Sequence, residues 1–146
     1  MKKTLATLPL LIALTACSDS NVGGLFQLKE LPPEAAQTIT AMTFDAGAPI
    51  TVHGRATTLQ FPLPPAPGLL AVQPAGAEKY VFSTASTKDM AKQGFSRFSM
   101  KPGEDLVVTG VLAQGSQKVA GFTVARADTI TKSDGAKVFD RGALPQ

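Results

Sequence analysis

Ile50-Thr51-Val52-His53-Gly54-Arg55-Ala56-Thr57 sets the architecture of this chain. Ile50, Val52, Gly54 and Ala56 alternate with Thr51, His53, Arg55 and Thr57, the period-2 pattern of a strand with one face toward a core and one toward water. Glycine in mid-strand marks a bulge or a sharp coil. A first strand that bends at Gly54 can serve both sides of a small barrel, and the rest of the chain is read outward from that bend.

Before it, Phe44-Asp45-Ala46-Gly47-Ala48-Pro49 reads as a turn-rich lead. After it, Phe61 to Gly68 carries four prolines, which remove four backbone donors and predict a stiff loop. Leu69 to Val72 predicts a second strand, Pro74 to Ala77 a turn, and Lys79 to Phe82 a third strand. Ser86 stands as N-cap of a short helix, with Asp89 in the capping-box position and Gly94 as the stop. Met90, Phe95 and Phe98 are placed to close one end of a barrel. Lys101-Pro102-Gly103-Glu104 fits a type II turn, in which proline sets the first φ and glycine accepts the positive second one.

Leu106 to Ala113 is the most β-prone stretch, and Gln114 to Gln117 turns it back through a strand from Val119 to Ala127. Ser133-Asp134-Gly135 reads as the tip of a last hairpin within Ile130 to Phe139. The order strand, strand, strand, helix, strand, strand predicts a mainly β fold: a small five-stranded Greek-key barrel of the OB type, with one short helix between strands 3 and 4. An open sandwich of the same strands fits the periodicities nearly as well.

The chain has 146 residues, room for one domain. It divides into a signal segment 1–16, an anchor and spacer 17–41, a β-domain 42–140 and a polar tail 141–146. Met1-Lys2-Lys3 followed by an apolar run of about ten residues from Leu5 to Leu14 has the form of a secretory signal, too short to span a bilayer as a mature helix. Without Lys2 and Lys3, twelve basic residues face eleven acidic ones, so the mature chain is nearly neutral. That balance, with one tyrosine and no tryptophan, argues against a nucleic-acid partner.

Leu14-Thr15-Ala16-Cys17 resembles the lipobox of bacterial lipoproteins. The resemblance implies cleavage between Ala16 and Cys17, a diacylglyceryl thioether on Cys17 and an acyl group, such as palmitate, on the new amino terminus. An ordinary signal with a cysteine near its end is the other reading. Ser18 rather than aspartate after the cysteine implies outer-membrane sorting, facing the periplasm, although Asp19 follows at once. Ser18 to Ile39, rich in Asn, Gly, Gln, Pro and Ala, suits a spacer, with Leu25 to Leu28 as a small apolar patch and Pro33 early in a short helix.

Phe44-Asp45 followed by Pro49 to Gly54, and Gly94-Phe95 leading to Met100 to Gly103 and then Val107 to Gly110, resemble a group of small exported bacterial domains of unknown function, over roughly residues 42 to 140. Members carry an Asn-Pro-His element where this chain has the proline-rich stretch 61–68, and a tryptophan where it has Phe95. The resemblance implies fold and export rather than an activity.

One histidine, His53, and no cysteine beyond Cys17 leave no converging set for a metal. No Gly-x-Ser-x-Gly elbow is present, and Glu104 and Asp105 adjoin in a turn where neighbouring side chains point apart. The expectation is a non-enzymatic, membrane-anchored binding or accessory module for an envelope protein or polymer, with no cofactor beyond the covalent lipid. Lys88, Lys92, Arg97 and Lys101, with Tyr80, are its possible partner contacts. The alternative is a small-molecule carrier or enzyme with a pocket at the barrel mouth, near residues 61–68 and Tyr80.

Overall fold

The computed structural model describes residues 31–61, 66–76, 78–96, 99–101 and 103–144. Its longest element is β1 (Phe44–Gln60), whose partner changes midway. From Phe44 to Arg55 it runs antiparallel to β4 (Asp105–Ala113), and from Arg55 to Gln60 antiparallel to β2 (Pro67–Gln73). The change falls beside Gly54. A Cβ there would lie 2.7 Å from the backbone carbon and oxygen of Gln73, so only glycine lets the end of β2 come that close. The bulge lies slightly later, because Ala56 pairs with Val72 and Thr58 with Ala71, leaving Thr57 as the extra residue. Bend and bulge are thus separate devices on one strand. The turn-rich lead also belongs to β1: Phe44 faces Ala113, and the register shifts before Pro49.

β3 (Tyr80–Ser86) pairs antiparallel with β2 and parallel with β6 (Phe122–Lys132), while β6 pairs antiparallel with β4. The strands therefore close a ring in the order β1-β2-β3-β6-β4, the OB topology, with α2 (Thr87–Lys92) between β3 and β4. The ring is not evenly closed, since its parallel edge runs only from Tyr80 and Thr123 to Ser83 and Arg126. Two short strands, β5 (Lys118–Val119) and β7 (Lys137–Asp140), also pair with β6, giving one seven-stranded sheet. The strand expected from Val119 to Ala127 is interrupted. Ala120 and Gly121 both have positive φ (53° and 86°) and make the two-residue loop of the β5–β6 hairpin. β6 then continues to Lys132, and residues 133–136 form the β6–β7 hairpin tip that Ser133-Asp134-Gly135 foretold.

Inside the ring, Val52, Ala56, Leu70, Val72, Phe82, Leu106, Val108, Ala125, Ala127 and Ile130 form the core, joined by Met90 and Phe95 from the helix end. Nine of them, Leu70, Val72, Phe82, Met90, Leu106, Val108, Ala125, Ala127 and Ile130, have no exposed surface. The capping expectation holds: Ser86 Oγ accepts the Asp89 N–H at 3.2 Å, which satisfies a first-turn donor. Gly103, at φ 82°, completes the turn in which Glu104 N–H bonds the Lys101 carbonyl at 3.1 Å. Pro102 and Phe98 lie outside the described residues.

β4 and β6 approach most closely at Gly110, where a Cβ would fall on the Arg126 carbonyl oxygen. The register shifts there: Thr109 pairs with Thr129 and Gly110 with Ala127, so Asp128 is the extra residue. A bulge re-aims the side chain it carries, and Asp128 meets Arg126 at 3.3 Å and Arg141 at 3.5 Å. Arg141, read as the start of a polar tail, spans the place where the β3–β6 ladder stops. Its Nε donates to the Ala127 carbonyl at 2.8 Å, and one Nη donates to the carbonyls of Thr84 at 2.6 Å and Ser83 at 3.3 Å. The guanidinium lies 5.7 Å from the Phe139 ring centroid. Burial, then the charge of Arg126, lowers its pKa while Asp128 raises it; arginine stays charged at any physiological pH.

The first helix, α1 (Pro33–Thr40), begins on the expected proline, but the residues around it do not act as free spacer. Leu31, Ala35, Ala36 and Ile39 are buried against Leu69, Val81, Ala113 and Val124 on the outer side of the ring. Gln60 holds the entry point, accepting the Leu31 N–H at 3.1 Å and donating to the Leu31 carbonyl at 3.3 Å.

Two stability predictions follow from these contacts. Arg141→Ala removes the donors that reach three carbonyls and should cost about 2–3 kcal/mol in urea unfolding, with Arg141→Lys recovering less than half because an ammonium lacks the planar fork; a loss below about 0.5 kcal/mol would remove Arg141 from the seam. Ile39→Ala should cost about 2–4 kcal/mol by the same measurement if α1 is part of the cooperative unit, whereas a free spacer would tolerate it.

Candidate functional site

The ring has two outer sides, and the chain treats them differently. α1 covers the outward residues Leu69 of β2, Val81 of β3 and Val124 of β6. The outer face of strands 2 and 3 is where OB domains commonly take oligonucleotides and oligosaccharides. Here the chain's own helix occupies it.

The other side is built by the first half of β1, β4, the second half of β6, and β7. Its register sets side chains in rows across strands about 4.8 Å apart. One row is Thr51, Thr109, Thr129 and Asp140; the next is His53, Val107, Thr131 and Lys137; Arg55 opposite Asp105 begins a third. All of these side chains are exposed or half-buried, as the alternation along β1 requires. The Thr109 and Thr129 hydroxyls meet at 2.6 Å.

Charge on this face is balanced in pairs: Arg55 with Asp105 at 3.9 Å, Arg126 with Asp128 at 3.3 Å, Lys137 with Asp140 at 3.2 Å. The hydrogen bond from Lys137, then that from Gly142 N–H, holds the Asp140 carboxyl below its ordinary range. Asp140 is therefore ionised at neutral pH, and its pairing is lost only as pH falls through that lowered value. The surface is rich in hydroxyls and its charges are paired. Glu104 and Asp105 point to different partners, Lys132 at 3.4 Å and Arg55, as adjoining residues should. Among the described residues no group of three or more His, Cys, Asp or Glu side chains is arranged to hold a metal.

The residues singled out from sequence fall in separate places. Lys88 and Lys92 are exposed on α2, with Lys92 3.7 Å from Asp89, and Lys101 is exposed ahead of the turn into β4. These three share the helix-plugged end of the barrel. Tyr80 starts β3 at the other end, half-buried and stacked on Phe82 with ring centroids 6.1 Å apart. Its ring joins the core packing. Also at that end, an open groove of about 480 Å³ lies outside the barrel between α1 and the residues after β4, lined by Thr38, Ala41, Met42, Thr43, Gln114 and Gln117. Arg97, Ala16 and Cys17 lie outside the described residues.

The threonine row and Arg141 were not found from sequence. The alternation marked Thr51 as outward, but its alignment with Thr109 and Thr129 depends on the register between strands far apart in the chain. No family model matches the chain, and neither the curated proteins nor the solved structures yielded a similar one.

Proposed function

We propose that this chain is a lipid-anchored envelope protein that works as a non-enzymatic binding or accessory module, presenting the β1-β4-β6-β7 face to a protein or polymer of the periplasm. The observation that carries this reading is the contrast between a barrel filled by fully buried side chains and one outer side left open and polar. A filled interior directs recognition outward. It weighs against the carrier reading, because Tyr80 and Phe82 pack where a ligand at the mouth would enter. Export and anchoring are supported by the lipobox Leu14-Thr15-Ala16-Cys17, and outer-membrane sorting by Ser18. Several acyl chains, at roughly 0.8 kcal/mol per buried methylene, make release from a bilayer very slow.

Cys17→Ala should move the protein from the membrane fraction to the soluble fraction without changing its urea midpoint. Tight membrane association of that variant would refute the anchor. For the binding face, a photoreactive residue at Thr51 or Thr131 should crosslink in intact envelopes to a discrete protein or polymer, while one at Lys118, away from this face, should not. A domain recovered alone from both positions would count against the module reading.

A further inference from the structure

The helix-plugged end of the barrel is also where the chain enters the domain. Gln60, the last residue of β1, clamps both main-chain groups of Leu31, and the next residue, Phe61, packs edge-on to Phe95 with ring centroids 6.4 Å apart. α2 lies beside this point, since its N-cap Ser86 pairs with Pro67 at the start of β2. It carries Lys88 and Lys92 on its exposed side. Lys101 is held close by, because Gly103 N–H bonds the Ala56 carbonyl at 2.8 Å and draws its turn against β1. The neighbouring acids do not cancel these charges. Asp89 meets Lys92 only in an exposed pair, and such pairs leave the cation largely available. The Glu104 carboxylate is shared with Lys132 at 3.4 Å.

Thirteen residues separate Cys17 from Leu31. Whatever its conformation, a segment of that length reaches no further than about 50 Å. With Cys17 in the bilayer, the lysine-bearing end stays near the headgroups. Contact there becomes intramolecular, so individually weak attractions count.

We infer that this end faces the membrane and seats Lys88, Lys92 and Lys101 on anionic phospholipid headgroups, turning the far end of the barrel away from the bilayer. The inference rests on the lipid-anchor reading. An acidic protein is the competing occupant, and the short tether favours the bilayer.

The test uses the full chain purified from bacterial membranes, its intact mass read first, then reconstituted in phosphatidylethanolamine vesicles containing phosphatidylglycerol. A spin label is placed at Ala91→Cys on α2 or at Gln117→Cys beyond the far end of β4, Cys17 being blocked as a thioether. A nickel-chelating lipid should relax the Ala91→Cys label several-fold more than the Gln117→Cys label. The bias should fall away in phosphatidylcholine vesicles and in the Lys88→Gln, Lys92→Gln, Lys101→Gln triple variant. Equal relaxation at both ends of a chain whose mass includes the lipid overturns this orientation and leaves the anchor standing. A mass without lipid overturns the anchor, and the orientation with it. A bias that survives both changes overturns the lysine–headgroup contact. Lysine-dependent crosslinking to a protein in envelopes, with no bias in vesicles, assigns the end to an acidic partner instead.

Discussion

Closure of the ring between β3 and β6 is the constraint on which the rest of the molecule depends. It is the one parallel edge among the described residues, and parallel pairing is slightly weaker per residue than antiparallel. It is also short, because β3 parts from β6 after Ser83 and ends at Ser86 where α2 begins, while β6 continues to Lys132. Where the backbones diverge, the carbonyls of Ser83, Thr84 and Ala127 accept from one side chain, that of Arg141, in a place where Thr84 and Ala127 are buried. Unpaired buried carbonyls are costly. Arg141 supplies donors to all three from a single planar head group, and the Asp128 bulge opposite Gly110 brings a carboxylate to that cation. One glycine, one extra residue and one arginine thus complete what the ladder does not.

Function is shaped by the same closure. With the ring shut and Met90 and Phe95 buried at the helix end, the interior is side chain throughout its core. On the proposed reading recognition falls to the outer surface, which α1 divides by covering the β2-β3 side and leaving the threonine rows of β1, β4 and β6 open. The helix also fixes where the chain enters. Leu31 is held at Gln60, so an anchor at Cys17 would pull on the barrel from its plugged end and leave the open side free to meet a partner laterally.

Much of the fold was legible in the sequence because its signals are local. The alternation over Ile50 to Thr57, the run Leu106 to Ala113, the Ser86–Asp89 cap and the glycine of the turn before β4 each depend on a few neighbouring residues. Together they predicted the strand order. What was missed depends on distant partners or on unusual conformations. The turn that splits β5 from β6 uses Ala120 at positive φ, where asparagine or glycine would have announced it. The extra residue Thr57 has no sequence mark, since a bulge is a property of two strands. Ala35, Ala36 and Ile39 are too few and too small to show a helical stripe, so their packing against the barrel was read as spacer. Arg141 looked like tail because nothing nearby in the chain reveals the three carbonyls it meets. The candidate face was legible in part: the outward placement of Thr51 and His53 follows from alternation, while the rows they join follow only from the register.

The most direct measurement of this account is a nuclear Overhauser spectrum of the folded protein across the parallel edge. Backbone contacts linking Tyr80 with Thr123, Val81 with Val124, Phe82 with Ala125 and Ser83 with Arg126 should be present, together with contacts from the Arg141 side chain to the backbone around Thr84 and Ala127. A spectrum that preserves the β1-β2, β2-β3 and β1-β4 ladders but has no contacts between β3 and β6 would mean an open sheet, and would contradict the closed barrel from which both the packed core and the outward site are argued.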